Sequence, residues 1–212
     1  LPSSMSILVI QLSPRGRLRA RSPGGAEPES DRSDGACFFV LSPDGLAIAS
    51  QGHCAASLLP RADHVALVLS DDDVSWHRIT LPKAPASKLR AALASVLEEA
   101  LLDEPENVHL ALAPQAIAGQ PAWIAAVDRS WLRSELAALE KAEVFVDLVL
   151  PLSWPDEPPG RHFCHADATD SESLVLHWAH LGGVATLRLR GSLARSLLPR
   201  PLPQASLLTA TP

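Results

Sequence analysis

Four groups of side chains in this sequence have types and spacings that could do chemistry. His162, Cys164, His165 and Asp167 fall within six residues, and His177 and His180 follow shortly after. Imidazole, thiolate and carboxylate are the ligands of zinc. In an extended segment His162 and Cys164 share a face while His165 points away, so the stretch alone offers two ligands. His180 or His177, on a neighbouring strand, would have to supply a third, and the result would be a small zinc-dependent hydrolase. No Cys-x-x-Cys or His-Glu-x-x-His accompanies the cluster, and the plainer reading is a set of half-buried strand histidines. His53 and Cys54 are adjacent, which permits a cysteine–histidine pair that nothing else supports. Asp71, Asp72 and Asp73 are consecutive and lack the alternate spacing of a calcium loop.

The fourth group is Glu98, Glu99 and Asp103. The segment Ser87-Lys-Leu-Arg-Ala-Ala-Leu-Ala-Ser-Val-Leu-Glu-Glu-Ala-Leu-Leu-Asp-Glu-Pro105 places Leu89, Ala92, Leu93, Val96, Leu97, Ala100 and Leu101 on one helical stripe. Ser87 is placed to cap the helix start, and Pro105 disfavours helix at Glu104, so the helix ends there. Its charges run against the macrodipole. Lys88 and Arg90 stand at the positive end and the three acids at the negative end, each unfavourable by roughly 0.3–1 kcal/mol if exposed. No Lys or Arg lies four residues from either glutamate, and Glu99 faces Asp103 at i,i+4. The acids therefore do not serve their own helix. They read either as a solvated acidic surface or as a docking patch for a cationic partner, with a catalytic carboxylate pair as the remaining option.

These groups are carried by a chain of 212 residues, 47% hydrophobic, with a net charge of −6. That is enough to bury one substantial core or two small ones, and the charge argues against phosphate-neutralising nucleic-acid binding. Three widely spaced cysteines indicate a reducing compartment and no disulfide framework. No apolar run approaches the roughly 20 residues of a membrane span. Leu1-Pro2-Ser3-Ser4 reads as a remnant ahead of Met5, and residues 201–212 read as a frayed tail.

The pattern predicts strands at 6–12, 37–41, 46–50, 64–69, 74–81, 108–113, 122–127 and 144–150. A mobile basic loop with Arg15, Arg17, Arg19 and Arg21 is expected within 13–36, and a turn at Ser42-Pro43-Asp44-Gly45. A short helix is expected at 55–59. A longer one runs to Ala142, capped by Asp128 or Ser130, with Leu132, Leu136 and Leu139 facing inward and Trp131 packed in the core. Strands recur at 161–165, 173–180 and 184–190, then Ser192 caps a short helix. Two β-β-β-α runs describe an α/β chain of two lobes. The first spans 5–151 with an inserted subdomain at about 74–113, and the second, partial, spans 152–200. This is how the ribonuclease-H-like, actin-like ATPase architecture begins.

Over 79–151 the sequence resembles the cytoplasmic part of protein L of the type II secretion system. The resemblance rests on Leu81-Pro82, Leu97-Glu98-Glu99, the acidic turn with Asp103 and Glu106, His109 opening a strand, and Val127-Asp128-Arg129-Ser130-Trp131 before a helix. Glu143 departs from the pattern, because the family often has a helix-ending glycine there. The resemblance implies the same actin-like fold and a non-enzymatic scaffold of the inner-membrane platform. It implies as partners the N-terminal region of the cytosolic secretion ATPase (protein E) and platform protein M, with self-association. It also implies a membrane helix beyond this segment and a place on the cytoplasmic face of the inner membrane.

An actin-like fold raises the question of a nucleotide. Active members hold phosphates in the turns after the first strand of each lobe, where glycine admits backbone N–H groups and an aspartate orients hydrated Mg²⁺. Here Gln11-Leu12-Ser13-Pro14-Arg15-Gly16 has no aspartate and a stiff proline. Ala166-Asp167-Ala168-Thr169 keeps Asp167 and Thr169 but has no glycine. No Walker-type motif is present. The expectation is a degenerate scaffold with no cofactor and no metal, an actin-fold ATPase being the competing reading.

Overall fold

The computed structural model describes residues 5–15, 36–155, 162–167 and 170–189, with side chains at 162–167, 170–174 and 189 outside the description. The expected helix after Ser192 and the tail at 201–212 lie outside the described residues. The chain divides into two compact units, Leu1–Asp73 with Asp128–Leu152, and Val74–Val127 with Ser153–Pro212.

The first unit is built on β1 (Ile7–Gln11), β2 (Ala36–Ser42), β3 (Ser50–Ala55) and β4 (His64–Leu69). A later strand, which follows the helix of this unit, completes the sheet at Leu148–Pro151. Strands β1, β2 and β3 form an antiparallel meander, with Ile10 opposite Phe39 and Phe39 opposite Gly52. β4 returns parallel to β1, and Leu148–Pro151 lies parallel to β4. The spatial order is thus β3-β2-β1-β4 and then Leu148–Pro151. Alternation along β1 and β4 buries Leu8, Ile10, Leu67 and Leu69 on one side of this sheet, as a period of two requires.

Two strand expectations in this unit need correction. The strand predicted at 46–50 starts only at Ser50. Asp44 Oδ1 accepts the amides of Leu46 and Ala47 at 2.8 and 2.9 Å, and Ser42 Oγ accepts the Gly45 amide at 2.8 Å. Donors used by this turn cannot enter a ladder, and Gly45 holds the positive φ of +76° that the turn needs. The strand predicted at 144–150 shortens to Leu148–Pro151 because the residues before it finish the preceding helix.

That helix, following a second-unit pair of strands and numbered below, is Arg129–Lys141. Val144 N–H reaches back to Leu139 O and Glu143 N–H to Glu140 O, both at 2.9 Å, which is the double closure of a Schellman motif. Glu143 occupies its left-handed position at φ +61°.

The second unit contributes β5 (Ser75–Thr80), α1 (Ala86–Leu97), β6 (Val108–Leu112) and β7 (Pro121–Asp128). The long helix of the first unit, Arg129–Lys141, is then α2, and Leu148–Pro151 is β8. β5, β7 and β6 form one sheet, with Ile79 opposite Ala122 and His77 opposite Ile124. Leu81, Leu93, Leu97, Ala122 and Ile124 are its buried core, with Leu89, Leu101, Leu110 and Leu112 packed against them. The inward stripe of α1 is therefore Leu89, Leu93 and Leu97 at i,i+4 spacing, and Leu101 beyond the helix end packs on the same core. Val96, expected on that stripe, is exposed. β9 (His162–Asp167), β10 (Asp170–His180) and β11 (Gly183–Leu189) form an antiparallel meander. Trp76 of β5 packs edge-on against Trp123 at 6.4 Å and Trp154 at 4.6 Å.

Candidate functional site

The acidic group lies at the exit of α1, and the helix is shorter there than its sequence indicates. Ala86 opens it after Pro85, whose carbonyl accepts the Lys88 amide at 2.9 Å. Ser87 stands inside the first turn and does not cap, which corrects its expected role. The last helical residue is Leu97, not one next to Pro105. Both Ala100 and Leu101 amides converge on Leu97 O, at 2.8 and 2.9 Å, so the backbone tightens into a turn. Leu101 then drops back onto the core and Leu102 is left fully exposed.

Glu98 is the C-cap residue, and Glu98, Glu99 and Asp103 are all exposed. Glu99 and Asp103 are not on successive turns of one helix, so the helical i,i+4 geometry expected of them is not formed. Neither the last turn of α1 nor, among the described residues, any ion pair supplies these acids with a basic side chain. The nearest cation in sequence, Arg90, instead donates Nη2 to Val108 O at 3.4 Å. His109, on the strand that follows, is held below the usual imidazole range by partial burial first and by Arg90 second. The tip thus combines three carboxylates at the negative end of a helix with two exposed apolar side chains, Val96 and Leu102.

A second group was not legible as such. Arg15 was expected in a mobile loop, but it is fixed where β1 and β4 end. Its amide donates to Asp73 Oδ2 at 3.0 Å, and its Nε lies 3.5 Å from Asp73 Oδ1. Its Nη1 donates to Asp128 Oδ2 at 2.8 Å, and its guanidinium carbon lies 5.5 Å from the centre of the Trp131 ring. The Asp73 side chain is only 1% exposed, a burial that a carboxylate sustains through such partners.

Asp128 has a second task. Its Oδ1 accepts the Trp131 amide at 2.8 Å and the Ser130 hydroxyl at 2.7 Å, which makes it the N-cap of α2. Of the two residues proposed as cap, Asp128 serves and Ser130 donates to it. Those two bonds, then Arg15, hold the Asp128 carboxyl down to about 2. Trp131 is half-buried under Arg15. Asp71-Asp72-Asp73 forms a single 3₁₀ turn in which Asp71 and Asp73 are buried.

The carboxyl ends of parallel strands are where open α/β sheets bind ligands. In this unit that place, after β1 and β4, is filled by a cation of the chain itself, clamped between two carboxylates. Sequence reading missed this because an arginine beside a proline, at the head of a basic run, carries no signal of its distant partners.

The histidine group lies on β9 and β10, which pair in antiparallel register. His162 pairs with Trp178, Cys164 with Leu176 and His165 with Val175. His177 lies opposite Phe163 and is buried. His180 Nδ1 accepts the Gly182 amide at 3.0 Å, and its ring lies 4.6 Å from that of Trp178. The side chains of His162, Cys164, His165 and Asp167, and Ala168-Thr169 altogether, lie outside the described residues. Among the described residues no group of three metal-ligating side chains converges. His53 packs against Phe38 with the rings tilted and 5.1 Å between centres, on the strand position next to Cys54.

Comparison with known proteins agrees with this architecture. A solved structure titled as the cytoplasmic domain of EpsL, an inner membrane component of the type II secretion system of Vibrio cholerae, superposes with a TM-score of 0.56. It has 19% identity, and the match covers 86% of this chain and 71% of that one. A PilM-PilN type IV pilus biogenesis complex matches at a TM-score of 0.49 and 19% identity, over 90% of this chain and 65% of that one. The fold is the mixed α/β, actin-like one. In sequence, type II secretion system protein L of Pseudomonas aeruginosa is 32% identical over 127 residues, 58% of this chain. The chain spans 30% of that relative's length. No helix among the described residues is long and apolar enough to cross a membrane. A family model described as type II secretion system (T2SS), protein L, matches residues 45–154, just over half of the chain, and the chain belongs to that family.

Proposed function

We propose that this chain is a non-enzymatic adaptor of the secretion platform, which recruits the cytosolic secretion ATPase through the tip formed by Glu98, Glu99 and Asp103. One observation carries the reading: these acids are exposed at the unfavourable end of α1 and, among the described residues, have no basic side chain beside them. A charge arrangement that costs its own helix stability is accounted for by use elsewhere. Val96 and Leu102 beside the acids suit a partner segment that is both basic and apolar, such as one amphipathic face from the N-terminal region of the ATPase. Platform protein M and a second copy of this chain are the further partners that family membership makes reasonable, at the cytoplasmic face of the inner membrane.

Glu98→Lys with Glu99→Lys is the direct test, by titration of the ATPase's N-terminal region at low and high salt. Two reversals at a docking rim should weaken binding at low salt by about tenfold and flatten its salt dependence.

The competing reading, an actin-fold ATPase, asks for phosphate at the end of β1. Arg15 already stands there, paired with both Asp73 and Asp128. Calorimetric titration with Mg-ATP should accordingly give no binding heat, and saturable heat would favour the ATPase.

A further inference from the structure

Cys37 and Cys54 are the described cysteines that stand directly opposite one another. The antiparallel register of β2 and β3 pairs Ala36 with Ala55, Cys37 with Cys54 and Phe38 with His53. Both cysteines are half-buried and neither is in a disulfide. Directly opposite residues on antiparallel strands have Cβ atoms about 4.5–5.5 Å apart and Cα atoms about 4.5–5.5 Å apart. A disulfide requires Cα atoms roughly 4.4–6.8 Å apart and Cβ atoms drawn in to about 3.8 Å. The pair is therefore within closing distance once the two side chains lean together. Among the described residues β3 is the outer strand of its sheet, with β2 on one side and no strand on the other, so it can give way by that amount.

We propose that Cys37 and Cys54 form a thiol pair that closes into an intramolecular cross-strand disulfide on meeting a low-molecular-weight disulfide such as oxidised glutathione. The two thiols are not equivalent. Burial first, then Glu135 of α2 and Cys54 itself, push the Cys37 thiol up, which disfavours its thiolate. Cys54, on the edge strand, is the attacking group. Its thiolate attacks one sulfur of oxidised glutathione, forming a mixed disulfide and releasing one glutathione thiolate. Cys37 then loses its proton and attacks the Cys54 sulfur, releasing the second glutathione. Two electrons and two protons pass from the protein to the glutathione disulfide, which leaves as two glutathione thiols. The product fastens the edge strand β3 to β2 at the end remote from the Ser42–Ala47 turn. A strand so fastened cannot peel away or pair elsewhere, and a reducing cytosol returns it to the dithiol.

The test is native incubation with oxidised glutathione, alkylation of the remaining thiols, and peptide mass spectrometry after cleavage at Asp44, which separates the two cysteines. The expected product is a Cys37–Cys54 linked peptide pair, two hydrogens lighter than the separate thiols and reopened by reduced glutathione. Cys37→Ser should stop at a glutathione adduct on Cys54. Cys54→Ser should yield an adduct on Cys37 several-fold more slowly. Full alkylation of both cysteines after oxidation, a stable adduct on Cys54 in the unsubstituted protein, or linkage to Cys164 or to a second copy would overturn the pairing. Equal or faster adduct formation at Cys37 in the Cys54→Ser protein would overturn the order of attack.

Discussion

Asp128 is one carboxylate with two jobs, since one oxygen caps α2 and the other takes Arg15. Asp128→Ala loses both and should cost about 1–2 kcal/mol of stability, the upper range of a lost cap. Asp128→Asn keeps a capping oxygen and should cost less. Acid unfolding separates the two effects. The Asp128 carboxyl is held down to about 2 in the fold and sits near its ordinary value when unfolded. Its contribution is complete above the unfolded value and is lost as pH falls from about 4 towards 2, where the unfolded chain binds the extra proton. The asparagine variant should therefore show a shallower loss of stability over that window, read by urea unfolding at several pH values. Arg15→Leu leaves Asp73 buried without its guanidinium. The cost should be about 2 kcal/mol, below the roughly 3–5 of a fully buried pair because Arg15 is about one-third exposed. A lower urea midpoint with an unchanged slope would show it.

At the scale of elements, helix ends decide more than helix interiors. The interior stripe of α1 was legible because Leu89, Leu93 and Leu97 repeat at helical spacing. Its ends were not, because Ser87 and Pro105 are plausible boundary residues in any frame while the actual closure is two amides on one carbonyl, Leu97 O. The strand expected at 46–50 failed for a similar reason, as the Asp44 side chain takes the amides that strand would need. His64–Leu69 and Val108–Leu112 lie where their apolar runs place them.

Glu143 was legible as an anomaly, an acid where the family often has glycine, and it stands at φ +61°. Its ion pair with Arg61 spans 3.8 Å between two strongly exposed side chains and adds little. Glu143→Gly should thus gain about 1 kcal/mol by relieving the left-handed strain, seen as a higher melting temperature with unaltered circular dichroism.

For the whole molecule, the order of strands was legible and the long-range ion pairs were not. The succession of strands along the chain needs only hydrophobic pattern and turn signals, both of which are local. The Arg15 clamp joins residues 58 and 113 positions apart, and no spacing rule reaches that far. The acidic tip lies between these cases. Its composition and its clash with the helix dipole were readable, whereas the exposed Leu102 beside it depends on where the helix actually stops. The adaptor reading rests on that tip being turned outward for use. The most direct measurement is the affinity of the secretion ATPase's N-terminal region for this chain and for its Glu98→Lys, Glu99→Lys variant, taken at low and at high salt. The account predicts a loss of about tenfold at low salt that shrinks as salt rises. Equal affinity of the two proteins at low salt would contradict it.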